Sequence, residues 1–330
     1  MTQQSLKNFA PAFALFALAF VPSASLAQIG LAAKFLGKNA ATTTAQATSR
    51  QAKTPGAPSY TYTLFGFPGT LFTAVNAINL GATTSKTEVV GSAGEGGFLA
   101  HISEKKISNE TYQAVSYPHS SGAEDANAVN DSGQIVGTYD GYIQGYERSG
   151  GKFTTINVPF AGAQGTFPCG INNSGEIVGG WWDSNKDEHG FTLVGGTYTS
   201  FDYPGASATA AFGINSAGDV VGAYADAGGV GHGFLLSAGT YTSFDFPSAI
   251  YTVPYAINDS GDVVGLYCTT TPCISTNAGA QGFLLSQGVF TTIAIPGESF
   301  TYAAGINNNG VVVGVYGDAA GLTVSFLATP

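Results

Sequence analysis

The segment Ile171-Asn-Asn-Ser-Gly-Glu-Ile-Val-Gly179 returns almost unchanged as Ile214–Gly222 and Ile257–Gly265, and with small variations as Val129–Gly137 and Ile306–Gly314. A sixth, stretched copy runs from Ile78 to Gly91. An aromatic-rich element ending in proline follows every copy but Ile306–Gly314: Tyr112–Pro118, Phe153–Pro159, Thr197–Pro204 (TYTSFDYP), Thr240–Pro247 (TYTSFDFP) and Phe290–Pro296. Between the two lies a Gly-Phe run such as Gly190-Phe-Thr-Leu or Gly233-Phe-Leu-Leu. Each unit therefore reads as four strands. The first ends in Ile-Asn, an Asn-x-x-Gly turn leads into the Val-Val-Gly strand, and the Gly-Phe strand and the aromatic strand follow. Glycine at the last turn position suits a residue with positive φ in a short hairpin loop. The copies are spaced 42 to 51 residues apart, close to the ~40–50 residues of a propeller blade.

The two ends of the repeat region complement each other. The last unit stops after its third strand, at Leu322–Ala328, and a matching fourth strand stands far upstream at Tyr60–Pro68 (YTYTLFGFP). Pairing the two closes a ring and removes the sheet edges that an open stack would expose. The small residues before each Ile-Asn or its counterpart (Ala77, Ala128, Gly170, Gly213, Ala256, Gly305) suit strands crowded around a central axis. The predicted fold is all-β, a six-bladed β-propeller of four-stranded blades closed by the N-terminal strand. Composition agrees: 46 glycines and only 10% charged residues point to short strands and tight turns.

Upstream of the repeats, residues 1–27 read as a signal peptide. Lys7 precedes an apolar stretch from Ala12 to Val21, and Ser25-Leu26-Ala27 offers small residues for cleavage. The apolar stretch is about half the ~20 residues that span a bilayer, so no membrane insertion is expected after cleavage. Residues 28–58, rich in Ala, Thr and Gln, read as a disordered spacer. Residues 59–330 form the repeat domain, which holds all 21 acidic residues against six basic ones, a net of −15. Such a field repels nucleic acid and anionic lipid and favours cations or neutral ligands. Cys268 and Cys273 flank a short loop and are expected to pair in an oxidising compartment, periplasmic or extracellular. Cys169 is left over, read as a small buried hydrophobe.

The Ile-Asn-x-x-Gly-x-Val-Val-Gly core, in five good copies, resembles that of the bacterial HAF-type extracellular repeat proteins. Their naming motif survives in part as His189-Gly190-Phe191 and His232-Gly233-Phe234, with Gln281-Gly282-Phe283 and Gly96-Gly97-Phe98 elsewhere. The resemblance covers residues 60–330 and implies an exported propeller-like protein, without implying a reaction.

Tight glycine turns occupy one face of such a propeller. The long loops Trp181–His189, Tyr224–His232 and Tyr267–Gln281 occupy the other, the usual place for binding on a rigid scaffold. Their recurring feature is an aromatic two residues after the second-strand glycine, with an acid two further on: Trp181/Asp183, Tyr224/Asp226 and Tyr316/Asp318, with Tyr139/Asp140 a variant. Tyr267 lacks the acid and Glu95 the aromatic. Aromatic rings stack on sugars while carboxylates accept hydroxyls or hold calcium. The alternative has the rings filling space between blades and the Asp side chains fixing turns. Trp181 and Trp182 point to opposite faces of one strand, which leaves one of them as a contact residue. His189 and His232 share a metal with Asp183 and Asp226 on one reading and are structural on the other.

A single arginine in the repeat domain, Arg148, excludes a sialidase-type carboxylate grip, and no Gly-x-Ser-x-Gly, HExxH or Walker-type motif occurs. The sequence thus points to an exported, monomeric, non-catalytic binding or scaffold module for extracellular carbohydrate or a surface protein, needing no cofactor, with calcium as the ion to consider. The alternatives are a secreted hydrolase using Asp or Glu on the loop face, and a purely structural envelope protein.

Overall fold

The computed structural model describes residues 49–51, 60–66, 73–81, 87–94, 96–103, 106–107, 112–270, 273, 279–318 and 322–330. The leader at 1–27, most of the spacer and Glu95 lie outside the described residues. Six antiparallel sheets surround one axis. From the axis outwards, the third blade runs Gly165–Ile171, Ile177–Trp182, Glu188–Val194 and Thr197–Phe201, and the fourth Ala208–Ile214, Val220–Ala225, Gly231–Ser237 and Thr240–Phe244. The second (from Asp125) and fifth (from Tyr251) repeat this order, and the first (from Thr73) splits its outer strand into Lys106–Ile107 and Gln113–Val115. Innermost strands neighbour one another in cyclic order, from first to second round to sixth and first again. The chain is a closed six-bladed β-propeller.

Closure follows the route its ends foretell. Phe300–Ile306, Val312–Gly317 and Thr323–Thr329 form the sixth blade, and Thr61–Phe65 pairs antiparallel with Thr323–Thr329, Thr61 facing Thr329 and Phe65 facing Ser325. One difference appears here. Ser49–Gln51, within the stretch read as spacer, adds a fifth strand antiparallel to Thr61–Phe65. The outer edge of that strand carries unpaired backbone groups, and a chain tethered ten residues away can meet them without a core of its own.

The Val-Val-Gly motif has a steric cause. Phe98, Tyr146, Phe191, Phe234, Phe283 and Phe326, one per blade, are fully buried on the third strands. Each lies opposite the second-strand glycine of its blade, as Phe191 does Gly179. A Cβ on Gly179 would lie 2.0 Å from the Phe167 carbonyl oxygen and 2.8 Å from the Phe191 ring. Only glycine lets ring and innermost strand close over it.

The Ile-Asn-x-x-Gly motif builds a hydrogen-bonded belt on the turn face. Asn172 Oδ1 accepts from the N–H groups of Ser174 and Glu176, holding its hairpin turn, with Gly175 at φ 79°. Its Nδ2 donates to Glu176 Oε2 and, across the blade boundary, to the Asn215 carbonyl at 3.1 Å. Asn130 reaches the Asn172 carbonyl, Asn215 that of Asn258, and Asn258 that of Asn307. The acid after the turn glycine (Glu176, Asp219, Asp262) thus accepts from the asparagine amide. A second link runs from one blade's outer end to the next blade's innermost strand: Tyr203 N–H to Thr209, Phe246 to Thr252, Ile295 to Thr301, with Glu124 replacing threonine for Tyr117.

Each innermost strand also carries a β-bulge, in the third blade between Pro168 and Gly170. In the fifth it lies between Pro254 and Ala256. Proline inside a strand is tolerated at a bulge, which accounts for Pro168 and Pro254. The bulge places Asn76, Asn127, Cys169, Phe212, Tyr255 and Ala304, one from each blade, around the axis.

Candidate functional site

On the loop face, the second-strand aromatics sit between blades. Tyr139 stacks on Tyr117 at 3.8 Å and Tyr224 on Tyr203 at 3.7 Å between ring centroids, in each case against the end of the preceding blade. Tyr267 stacks on Phe246 in the same way, Trp181 packs against Phe160, and Tyr316 shares a buried cluster with Ile295. Their polar tips meet hydroxyls of their own outer strands: Trp181 Nε1 donates to Ser200, and the Tyr139, Tyr224 and Tyr267 hydroxyls bond Thr155, Ser243 and Thr292. These rings seal the gaps between blades. Trp182, on the opposite side of the same strand, is half-buried with its ring 4.3 Å from Phe167.

The paired acids hold turns. Asp183 Oδ1 accepts from Asn185 and Asp187 N–H, Asp226 Oδ1 from Gly228 and Val230, Asp318 Oδ1 from Leu322, and Asp140 Oδ1 from Ser121. The Val230 N–H bond, followed by that from Gly228 and the neighbouring His232, keeps the Asp226 carboxyl below its usual range.

The arrangement that sequence reasoning missed is a His–Asp pair in two adjacent blades. His189 Nδ1 lies 2.9 Å from Asp202, and His232 Nδ1 lies 2.8 Å from Asp245, each Asp immediately following the outer strand of its blade. His189 stacks on Trp181 at 4.6 Å and His232 on Tyr224 at 5.2 Å. His232 Nε2 faces Asp226 at 3.6 Å. Each His–Asp pair therefore belongs to its own blade, and no group of three or more His, Cys, Asp or Glu arranged to hold a metal occurs among the described residues. The second and fifth blades fill the histidine position with Gln144 and Gln281, which accept from the Tyr139 and Tyr267 hydroxyls. The signal was in the repeat itself: where histidine appears, aspartate appears thirteen residues on, and where glutamine appears it is Asn157 or Ala294.

Apolar side chains are exposed on this same face at Ile143, Val230, Ile250 and Leu322. Cys268 and Cys273 form the expected disulfide beside it. Along the axis, Ile78, Val129, Ile171, Ile214, Ile257 and Ile306 line a cavity of about 60 Å³ together with the bulge residues. No helix among the described residues is long and apolar enough to cross a membrane.

No protein-family model matches this chain, and no curated protein matches it. Solved structures share the architecture at low identity. A virginiamycin B lyase from Staphylococcus aureus is 11% identical over 82% of this chain and 100% of its own, with a TM-score of 0.47. TolB from Acinetobacter baumannii is 11% identical over 80% of this chain and 65% of its own, TM-score 0.49. The Aleuria aurantia lectin, a six-bladed β-propeller that recognises fucose, is 11% identical over 78% of this chain and 91% of its own, TM-score 0.45. What the chain has in common with them is the propeller.

Proposed function

We propose that the protein is an exported, non-catalytic binding module of the HAF-type repeat class, and that the loop face of its third and fourth blades takes an extracellular polyhydroxylated ligand. The observation that carries this reading is the pair of partly exposed His–Asp units, each backed by a stacked aromatic ring: Trp181/His189/Asp202 and Tyr224/His232/Asp245. Such a unit offers a ring nitrogen and carboxylate oxygens in fixed positions, as hydroxyl recognition requires. Half-buried Trp182 supplies a flat apolar surface on the same blade. Support for binding rather than hydrolysis comes from Asp183, Asp226 and Asp318, each of which has its Oδ1 engaged by backbone N–H groups in its own turn. An acid pair working on a glycoside needs its oxygens directed at the bond to be cleaved.

The test is a glycan array probed with the folded protein, with calcium and with chelator. Saturable binding to a glycan class is expected, reduced at least tenfold by Trp182→Ala or His189→Ala. Silence in both conditions overturns the carbohydrate reading and favours a surface protein, for which exposed Ile143, Val230, Ile250 and Leu322 supply the contact. Binding that chelator abolishes places calcium at Asp183 or Asp226.

A further inference from the structure

The outer strand of a blade can take one strand more on its far edge, and the blades guard that edge differently. The first splits its outer strand in two, and the second begins its own with Lys152. The sixth is covered: Ser49–Gln51 pairs with Thr61–Phe65, Ser49 facing Thr63 and Gln51 facing Thr61. The outer strands of the third and fourth blades, Thr197–Phe201 and Thr240–Phe244, pair on their inner side only among the described residues. Both read TYTSF, and the covered strand of the sixth blade reads TYTLF. The kind of edge that Ser49–Gln51 covers therefore stands open twice more on the ring. Neither open copy holds a charge or a proline to discourage pairing. The fifth blade's outer strand, VFTTI, agrees with TYTLF only at Thr291.

Coverage differs in the same sense. In the sixth blade Tyr62 and Phe65 are buried and Thr63 is half-buried. At the corresponding places Tyr198, Phe201, Tyr241 and Phe244 are only half-buried, and Thr199 and Thr242 are exposed. Charge favours an added strand from this chain's own N-terminal stretch. Residues 28–58 contain Lys34, Lys38, Arg50 and Lys53 and no acid, against the net of −15 on the repeat domain. A molecule's own segment is held near its sixth blade, ten residues from Thr61. The third blade stands opposite the sixth in the ring, so the donor for that edge comes from another molecule. We infer that the segment around Ser49–Gln51 is an exchangeable strand, which a second copy lays antiparallel along Thr197–Phe201 or Thr240–Phe244. Main-chain hydrogen bonds form on the new edge as they are lost from the old one. What favours the original pairing is the tether, and rising protein concentration offsets it. Donor and acceptor are different surfaces, so the contact is head-to-tail and grows open chains rather than a two-fold dimer. This assembly uses backbone edges and needs no ligand at the loop face.

The experiment is sedimentation of the folded chain over a wide range of concentrations. The expected result is a mean mass that climbs past two chains without a plateau, and climbs less at high salt. Thr199→Lys combined with Thr242→Lys, both at exposed positions, places a charge on each open edge. That variant is expected to associate at least tenfold more weakly. Ser49→Cys combined with Thr63→Cys, which face each other, locks the segment to its own edge once oxidised. The locked variant is expected to remain as single chains at every concentration. In oxidised mixtures, a Ser49→Cys chain should cross-link to a Thr199→Cys chain severalfold faster than to an Ile143→Cys chain, whose position is exposed on the loop face. A parent that stays single throughout, or a plateau at the dimer, overturns the proposal. So does a locked or lysine variant that associates like the parent, or cross-linking without preference for position 199.

Discussion

On the turn face, bonds such as that from Asn172 to the Asn215 carbonyl run from one blade into the next. On the loop face the bonds of the turn acids stay local: Asp183 serves Asn185 and Asp187, Asp226 serves Gly228 and Val230. A belt couples its members, so a change in one asparagine disturbs two blades. A self-contained loop can change without its neighbours noticing. That asymmetry explains why Ile-Asn-x-x-Gly is kept from unit to unit while the loops between second and third strands differ in length and content. One face fixes where the blades stand, and the other is released to carry chemistry.

The largest effect should come from cutting the belt. Asn172 is completely buried, and its side chain accepts two backbone N–H groups and donates to Glu176 and the Asn215 carbonyl. Asn172→Ala leaves several of these groups buried and unpaired, at a cost of roughly 3–5 kcal/mol. Urea unfolding would show it as a large drop in the denaturation midpoint. Asp226→Ala, whose bonds are confined to one exposed loop, should move that midpoint far less. Equal losses would mean that the two faces do not differ in the way their hydrogen bonds imply.

Glu188 sharpens the comparison from within, since it enters from the loop-face end of its strand yet ends in the core. Burial pushes its carboxyl up to about 8 from an ordinary 4.5. The folded state therefore holds a proton that the unfolded chain releases between those values. By linkage, stability from this group is complete below about 4.5 and is lost as pH rises through about 8, a change on the order of 5 kcal/mol. Asp125, buried and raised to about 6, bends the curve the same way from an ordinary 3.8. The melting temperature of the parent should fall between pH 5 and pH 9, and that of Glu188→Gln should fall much less. Parallel curves would remove Glu188 as the source.

The fold was largely legible because its causes are local and repeated. The turn glycine and the second-strand glycine answer to backbone sterics within one unit, and the strand missing at one end and present at the other gave closure. The bulges were not read, although Pro168 and Pro254 stand at the same place in two strands and mark it. Glu188 escaped notice because its meaning depends on Gly180 and on Ala210 from another blade. No spacing rule joins those three. The loop face was read for its aromatics and acids, which the structure uses for blade contacts and turns. The His–Asp pairs needed a comparison of units at two positions at once.

The smallest structural effect, and the most informative, is expected where the repeat has already done the substitution. Gln144 and Gln281 stand where His189 and His232 do, pairing with a tyrosine hydroxyl in intact blades. His232→Gln places the same side chain beside Tyr224, whose hydroxyl already bonds Ser243, so the blade has a working precedent for it. Stability should change by no more than about 0.5 kcal/mol, as for surface substitutions outside special features. The pairing with Asp245 is nevertheless removed. If the His–Asp units exist to hold a blade together, the fourth blade should open first in hydrogen exchange when His232 is replaced. If they exist to meet a ligand, exchange should be unchanged and binding on the loop face should fall at least tenfold. A variant that loses both would show that the loop face, too, is part of the scaffold.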